Sequence, residues 1–318
     1  MIPLHPVFSI IVNNIRRTGF PFPLNKRDCF KWAEELKIPR HGEVFLYTSC
    51  LYQLIPYINA MARWLERAEH SSVIKTGLKF LGRFPSLSSL SRIIIRPDRR
   101  EVERFVQIPK KIAEVLTKLG VNFASLYDND IYSGALLYDL GLDDYFQEHA
   151  EKVYKIFQEN NVKKVITIDP HTTYVLKSIY PEFIDGFDIE VESYLEVLVE
   201  KIENKSEKSE KITIHDPCLY ARELGIINEP RRIIESLGFE IEEAKHSGIH
   251  TMCCGGPIES IAPEMSRKIA KARLMELSQK SKKIIAMCPI CIANLGRHAE
   301  EGLEIVDISE LIFDRIMK

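Results

Sequence analysis

The sequence lacks a long hydrophobic run, a strong net charge and a secretory leader, and each absence excludes a class of protein. No window approaches the roughly 18 consecutive apolar residues that a membrane-spanning helix needs. The net charge of −2 supplies no basic field for nucleic acid, so we expect no nucleic-acid partner. The apolar patch at 7–12 has no charged region before it and no small-residue cleavage site after it, which argues against a signal peptide. We therefore expect a cytoplasmic protein, in which thiols stay reduced.

Cysteine is rare in the first half of the chain and concentrated in the second. Five of the seven cysteines follow the pattern C-x34-C-C-x33-C-x2-C. They are Cys218, Cys253, Cys254, Cys288 and Cys291. Clustered thiols of this kind predict a metal or iron–sulfur site, and the adjacent pair is unusual for zinc, which is typically bound by C-x2-C pairs. Gly255 and Gly256 follow that pair, since consecutive ligands on one small cluster require a backbone that side chains would obstruct.

The cysteine-rich region is the second copy of an internal repeat. Three pairs of segments match, the last of them weakly: KKVITIDPHTTYVL (163–176) with KKIIAMCPICIANL (282–295), EVFLYTSCLYQLI (43–55) with KITIHDPCLYARELG (211–225), and IYSGALL (131–137) with MCCGGPI (252–258). We interpret these matches as a duplicated domain.

The first copy has lost most of the cysteines. Cys50 stands opposite Cys218. At the other four positions the first copy has residues that are not cysteine: Tyr132, Ser133, Asp169 and Thr172. Because these side chains cannot replace the thiolates of an iron–sulfur site, we expect one cluster rather than two. The degenerate copy would then form half of the pocket wall or a docking surface.

The hydrophobic periodicity predicts an α/β fold made of two tandem repeated domains with parallel sheets. In the second copy we expect strands at 211–215, 239–243, 283–287 and 304–306, long helices at 219–237 and 258–280, a short helix after the CPIC turn and a final helix. Two cysteine turns directly follow strands, so we expect the cluster site at the carboxyl ends of the strands of the second domain. The predicted units are an N-terminal lead-in segment at 1–42, a degenerate domain at 43–200 and the complete domain at 201–318.

Residues 61–105 form an insertion in the first copy and carry ten Lys or Arg against five Asp or Glu. A basic, partly amphipathic segment is typical of a surface that contacts a membrane or a partner subunit. The same composition fits a pair of helices that covers the protein's own sheet, since surface helices also need an apolar face. Both interpretations stay open from the sequence.

The five cysteines, with HDPC at 215–218 and CCGGP at 253–257, resemble the cysteine-rich CCG domain. That domain occurs in the B-type and D-type subunits of heterodisulfide reductase and in the iron–sulfur subunits of glycolate, lactate and anaerobic glycerol-3-phosphate oxidoreductases, usually as a tandem pair. The segment at 13–50 looks like the stretch that leads into the first domain of longer members, where a ferredoxin-like module often precedes it. This sequence has no C-x2-C-x2-C-x3-C-P run, so we expect any ferredoxin clusters on another polypeptide or none at all.

The resemblance implies that the five cysteines bind one 4Fe–4S cluster. In the heterodisulfide reductase relatives a complete set holds a non-cubane cluster at which a disulfide is cleaved, whereas other members hold an ordinary cubane cluster or zinc. Five thiolates favour the larger cluster, since four suffice for a cubane or for tetrahedral zinc. His215, in the turn before Cys218, and His246, beside the CCG loop, are candidate proton relays for such chemistry.

The resemblance further implies an iron–sulfur oxidoreductase subunit, similar to heterodisulfide reductase, that works in a multi-subunit complex. It would either reduce a disulfide or relay electrons between a flavin subunit and a quinone or ferredoxin. A ferredoxin-like iron–sulfur subunit, a flavin subunit or both are therefore expected partners. The expected location is cytoplasmic, with a peripheral position at the inner face of the membrane if 61–105 contacts lipid. The alternative from another class is a zinc-stapled, non-redox docking or assembly subunit.

The other notable residues of the first copy receive no site role from the sequence. We expect Cys29 to be a packed apolar side chain and Cys50 to be a retained core or pocket residue. Asp169 and His171 form too small a pair to predict a metal site.

Overall fold

The structure is a computed structural model that describes residues 4–69, 96–202 and 210–317. Its strands form two parallel sheets, which confirms the predicted α/β class. The first sheet has the order β1-β2-β3, with β1 at Val44–Tyr47, β2 at Lys164–Thr167 and β3 at Glu190–Ser193. The second has the order β5-β4-β6-β7, with β4 at Glu210–His215, β5 at Phe239–Ile241, β6 at Lys283–Ala286 and β7 at Glu304–Asp307.

Helices connect and cover the strands of both sheets. Those of the first half are α1 Leu4–Thr18, α2 Arg27–Leu36, α3 Leu51–Glu69, α4 Arg99–Lys118, α5 Ala135–Asp139, α6 Asp143–Glu159, α7 Pro170–Tyr174, α8 Tyr180–Phe183 and α9 Tyr194–Val199. Those of the second half are α10 Asn228–Ser236, α11 Pro263–Leu277, α12 Pro289–His298 and α13 Ile308–Ile316. π-Helical turns at Val175–Ile179 and Leu219–Glu223 lie close behind site turns of the two halves. None of the helices in these described ranges is long and apolar enough to cross a membrane.

The two sheets repeat the same arrangement, with β1, β2 and β3 corresponding to β4, β6 and β7. Ala124 forms an isolated parallel bridge to Phe45 at the edge where the second sheet carries β5. Gly134 and Gly255, which the weak third match pairs, both have left-handed φ angles of 87° and 83°. The backbone of this turn therefore supports the third match. The domain boundaries stay a prediction.

Two helices of the second half differ from the sequence prediction. The helix predicted at 219–237 divides into a π-helical turn and α10, because Gly225 between them adopts a left-handed φ of 69°. The helix predicted at 258–280 begins only at Pro263. Since the residue before a proline is biased away from helical angles, Ala262 stays extended and the helix starts after it.

Helices α3 and α4 contain the two described ends of the predicted insertion and pack against each other. Asp98 caps α4 by accepting hydrogen bonds from the backbone N–H groups of Arg100 (2.8 Å) and Glu101 (3.3 Å). The apolar face of α4 is buried against α3, α2 and α13. The described ends of the insertion thus cover the protein's own core, as the helical-pair interpretation expects. The rest of the insertion, at 70–95, lies outside the described residues.

Reciprocal hydrogen bonds join the two halves. Tyr52 Oη donates to Asp307 Oδ2 at 2.7 Å. The repeat counterpart of Tyr52 is Tyr220, whose hydroxyl lies 2.9 Å from the hydroxyl of Ser193, the counterpart of Asp307. All four side chains are buried. The carboxyl ends of the two sheets therefore face each other, and the candidate site lies where they meet.

Candidate metal centre

The five cysteines predicted as ligands come together from three segments of the second half. Cys218 follows β4, and Cys288 follows β6 as the residue that begins α12, with Cys291 in the first turn of that helix. Cys253 and Cys254 lie on the loop between β5 and α11. Cys218 and Cys253 are partly exposed and the other three are buried, so the set is open on one side only.

The five thiols form a continuous row. Hydrogen-bond contacts link Cys218 to Cys253, Cys253 to Cys254, Cys254 to Cys291 and Cys291 to Cys288. They border a cavity of about 230 Å³ with the following lining residues: Pro170, His171, Pro217, Cys218, Leu219, Cys254, Pro257, Cys288, Ile290 and Cys291. Pro170 and His171 come from the degenerate first copy, so both copies enclose the cavity.

Two thiols of the row ionise before the others. Hydrogen bonds from Cys218 and Cys254 hold the pKa of Cys253 far below its usual value. Burial opposes ionisation of Cys288, but hydrogen bonding from Cys291 and the charge of His171 lower the pKa of Cys288 to about 5. Since metals bind thiolates rather than thiols, part of the donor set is already in its binding form near neutral pH.

The CCG loop needs its glycines for steric reasons. The backbone N–H groups of Gly255 and Gly256 donate to the sulfurs of Cys253 (3.3 Å) and Cys254 (3.4 Å). A Cβ on Gly255 would lie 2.8 Å from the carbonyl oxygen of Ser266, and one on Gly256 would collide with the side chain of Ile290. The loop therefore packs against α11 and α12 at a distance that only glycine allows.

Two further side chains of the second half anchor the CCG loop. Ser266 donates to the carbonyl oxygen of Gly255 at 2.7 Å, and Asn294 donates to that of Cys254 at 2.8 Å. Both side chains are fully or almost fully buried. The positions of the adjacent thiols are thus held by α11 and α12 rather than by the loop itself.

His215 lies against the thiols as a buried hydrogen-bond donor. Its ring nitrogen and the sulfurs of Cys254 and Cys291 lie within 4.8 Å of one another. Arg273 Nε donates to His215 Nδ1 at 3.1 Å, so the imidazole proton is assigned to Nε2, which has no partner among the described residues. Burial and the nearby guanidinium of Arg273 lower the pKa of His215 to about 3. The ring is therefore neutral, and its Nε2–H is available to a sulfur.

His246 does not line the thiol cavity. It contacts Glu276 Oε1 at 3.2 Å, and Glu276 in turn accepts from Arg273 Nη1 at 2.9 Å. The two histidines predicted from the sequence are thus connected through Glu276 and Arg273. Because arginine does not release its proton in proteins, this connection orients His215 rather than carrying protons to it.

The structure adds His171, which the sequence interpretation left without a role. It comes from the degenerate copy and hydrogen bonds to the thiol of Cys288, with Asp139 Oδ2 3.6 Å from its Nδ1. Burial opposes its positive charge, but Cys288 and Asp139 together raise the pKa of His171 well above its usual value. A signal was present in the repeat, because His171 lies within the first copy's equivalent of the CPIC turn.

The first copy keeps the shape of the site without its donors. Asp169 caps α7 by accepting from the backbone N–H of Thr172 at 2.8 Å, in the position that Cys288 holds at α12. Ser133 Oγ, Thr172 Oγ1 and Asp169 Oδ2 are buried and have no hydrogen-bond partner among the described residues. Oxygen atoms at these positions are poor ligands for iron–sulfur clusters, as the sequence led us to expect.

Cys50, the retained cysteine of the first copy, forms a disulfide with Cys29, and their Cα atoms are 5.1 Å apart. Both residues are buried as expected. The expectation of separate, reduced core thiols is corrected on this point, because α2 places Cys29 directly against the turn that carries Cys50.

The donor set fits an iron–sulfur cluster better than zinc. Five thiols exceed the four donors of tetrahedral zinc, and the cavity that they border is largely closed to water. His215 could complete a zinc site only through Nε2, which carries the proton. The partnerless Nε2–H and the two loop N–H groups are instead the hydrogen bonds that iron–sulfur clusters receive from their proteins.

Comparison with known proteins agrees with this geometry. The family model described as "CCG: Cysteine-rich domain" matches residues 212–296, which contain all five cysteines. The chain carries a cysteine-rich CCG domain. The resemblance stated from the sequence is confirmed.

Relatives of the CCG chain are named as iron–sulfur and redox proteins. The probable iron-sulfur-binding oxidoreductase FadF of Bacillus subtilis is 28% identical over 96% of this chain and 40% of its own length. EtfAB:quinone oxidoreductase of Syntrophomonas wolfei is 27% identical over 66% of this chain and 32% of its own length. The D-type subunit of the dihydromethanophenazine:CoB–CoM heterodisulfide reductase of Methanosarcina barkeri is 28% identical over 64% and 54%. The chain thus spans less than two thirds of each of these relatives.

These names support an iron–sulfur centre and a redox role over the zinc-stapled docking alternative.

Proposed function

We propose that this CCG chain is an iron–sulfur oxidoreductase subunit that binds one 4Fe–4S cluster through Cys218, Cys253, Cys254, Cys288 and Cys291. The observation that carries the proposal is the continuous row of five thiols around a cavity enclosed by both copies. A cluster bound there supplies one-electron transfer. The proposed domain division, with the cluster in 201–318 and a wall from 43–200, follows the same observation.

The chain's own residues position and shield the site. Arg273 orients His215 so that its Nε2–H is available to the sulfurs, and the loop amides of Gly255 and Gly256 donate to them as well. His171 donates to Cys288 from the first copy. Pro257 and Ile290 cover the apolar side of the cavity and restrict access of water. Such fixed donors stabilise added negative charge on sulfur, which favours acceptance of an electron.

The choice between electron relay and disulfide reduction follows from the surroundings of the thiols. Only one complete cysteine set exists in the sequence, and the facing copy presents Asp169, Thr172 and Ser133 instead of a second set. We propose electron relay as the main role, since relatives of this chain include a quinone oxidoreductase. In that role His215 acts as a hydrogen-bond donor, and His246 acts through Glu276 and Arg273 to hold it.

Partner subunits are part of the proposal. The heterodisulfide reductase relative is named as one subunit of its enzyme, and the name EtfAB:quinone oxidoreductase pairs that relative with a redox partner. An arginine-rich cleft between α3, α4 and α12 provides a surface for an acidic partner such as a ferredoxin-like or flavin subunit. Its cationic residues are Arg63, Arg100, Arg104, Arg267 and Arg297. Of these, Arg100 and Arg267 form no ion pair within the described residues. A peripheral membrane position through 61–105 is part of the proposal as well.

The experiment is anaerobic purification followed by iron, sulfide and zinc analysis and EPR spectroscopy of the oxidised and reduced protein. About four irons and four sulfides per chain are expected, as for one 4Fe–4S cluster. Cys254→Ser should lose the iron and the EPR signal, whereas Cys29→Ser, outside the thiol row, should keep both. The EPR signal distinguishes a cubane from a non-cubane cluster. One zinc and no sulfide in protein never exposed to air would contradict the proposal.

A further inference from the structure

A second cavity lies beside the thiol cavity and shares His171, Pro257 and Ile290 with it. Its volume is about 850 Å³, which is within the range of small-molecule binding sites. The proposed cluster site does not need this space, since the thiols border their own smaller cavity. A molecule in the larger cavity would reach the residues that cover the thiols.

The walls of this cavity are mainly apolar and come from both copies and from the N-terminal segment. α1 contributes Val7 and Ile11, and α3 contributes one of its faces. The residues from α3 are Leu51, Leu54, Ile58, Met61, Ala62 and Leu65. Because these α3 residues span several helical turns along the cavity, it suits an extended hydrocarbon chain better than a compact polar ligand.

The polar groups of the cavity exclude an anionic ligand. Its described lining contains the carboxylates of Asp139 and Glu259 but no lysine or arginine. Tyr132 accepts from the backbone N–H of Leu136 at 2.8 Å, which leaves its own O–H as a donor. Asp139 is 3.6 Å from His171 where the two cavities meet. A neutral ligand that accepts hydrogen bonds fits this set of charges.

We propose that the cavity binds a neutral, hydrogen-bond-accepting ring with an alkyl tail, the chemistry of a lipid quinone. The ring lies at the end formed by His171, Pro257 and Ile290, next to the thiols, and the tail lies between α1 and α3. The redox meaning of this site rests on the proposed function, because the electrons would come from a cluster at the thiols. Binding itself depends only on the cavity.

The test measures binding of a benzoquinone with a decyl tail to the anaerobically purified protein by isothermal titration calorimetry. Leu136→Trp fills the cavity and is expected to weaken binding at least about tenfold. Leu140→Trp is the matched control, since Leu140 is similarly half-buried four residues further along but does not line the cavity. Met61→Trp, from α3, is measured alongside, and the iron content and melting temperature of every variant are recorded.

Saturable binding that both lining variants weaken and the control keeps supports the proposal. Absence of binding to the parent protein, or equal binding in all three variants, overturns it. Decanol that binds as tightly as the quinone overturns the choice of a ring-bearing ligand. The iron analysis separates the two proposals: quinone binding by a parent protein without iron would refute the cluster and leave the cavity assignment, and a cluster without quinone binding would do the reverse.

Discussion

Tyr52 of the first copy donates a 2.7 Å hydrogen bond to Asp307 of the second. Asp307 also caps α13 by accepting from the backbone N–H of Ser309 at 2.8 Å. Both partners of the Tyr52–Asp307 bond are fully buried. Burial, with the nearby charge of Glu310, raises the pKa of Asp307 to about 6. The contact between the copies is therefore linked to pH.

Asp307→Asn is expected to remove a loss of stability that occurs as the pH rises. The folded-state pKa of Asp307 lies above its ordinary value of 3.8, so the native state binds the proton more tightly than the unfolded chain does. This favourable contribution is complete below about pH 4 and is lost as the pH rises through about 6. Its full size is at most about 3 kcal/mol.

Urea unfolding of the parent and of Asp307→Asn between about pH 4 and 7 measures this effect. The variant should gain stability relative to the parent across that range. The buried Asp130 and Asp169, which also have raised pKa values, are present in both proteins and cancel in the difference. A constant difference in unfolding free energy at all pH values would show that Asp307 is not linked to protonation.

Gly256→Ala is expected to lower the iron content and the stability of the protein. The added Cβ would collide with Ile290, and the loop that holds Cys253 and Cys254 would have to move. A misfit of this kind costs on the order of 1–3 kcal/mol. Gly296→Ala is the matched control, because a Cβ there meets nothing within 4 Å on α12. Iron analysis and thermal unfolding of the two variants test the prediction, and equal iron retention in both would contradict it.

His171→Gln is expected to lower the reduction potential of the centre. Removing a cationic hydrogen-bond donor from Cys288 makes added negative charge on the sulfur less favourable. A shift on the order of tens of millivolts is expected for one such contact. Redox titration monitored by EPR measures it, with His298→Gln in the arginine-rich cleft as a control. An unchanged midpoint with normal iron content would show that His171 does not act on the thiols.

Much of the fold and of the site could be predicted from the sequence because both depend on local order along the chain. Each strand is a short apolar run, and the cysteine turns at Cys218 and Cys288 directly follow two of them. Parallel strands share one edge, so residues about seventy positions apart meet there. The repeat could be predicted for the same reason, since its two copies have the same order of elements.

The parts that the sequence did not reveal depend on how the copies dock. Contacts such as His171 with Cys288 and Tyr52 with Asp307 join residues that are far apart in the chain and belong to different copies. No periodicity or spacing encodes such pairs, because they arise only when the carboxyl ends of the two sheets face each other. The break at Gly225 was missed because the apolar spacing continues across it, while the backbone requirement of a single glycine ended the helix.

The Cys29–Cys50 disulfide yields the last prediction, which concerns the copy that has no cluster. Alkylation of the denatured, iron-free protein without reductant should label the five thiols outside the disulfide, and seven after reduction. The bond closes a loop with a sequence separation of 21, so reducing it should lower the unfolding free energy by about 3 kcal/mol. Cys29→Ala together with Cys50→Ala should lose this dependence on reductant and keep the iron. Seven labelled thiols before reduction would show that Cys50 is a core thiol, as the sequence alone suggested.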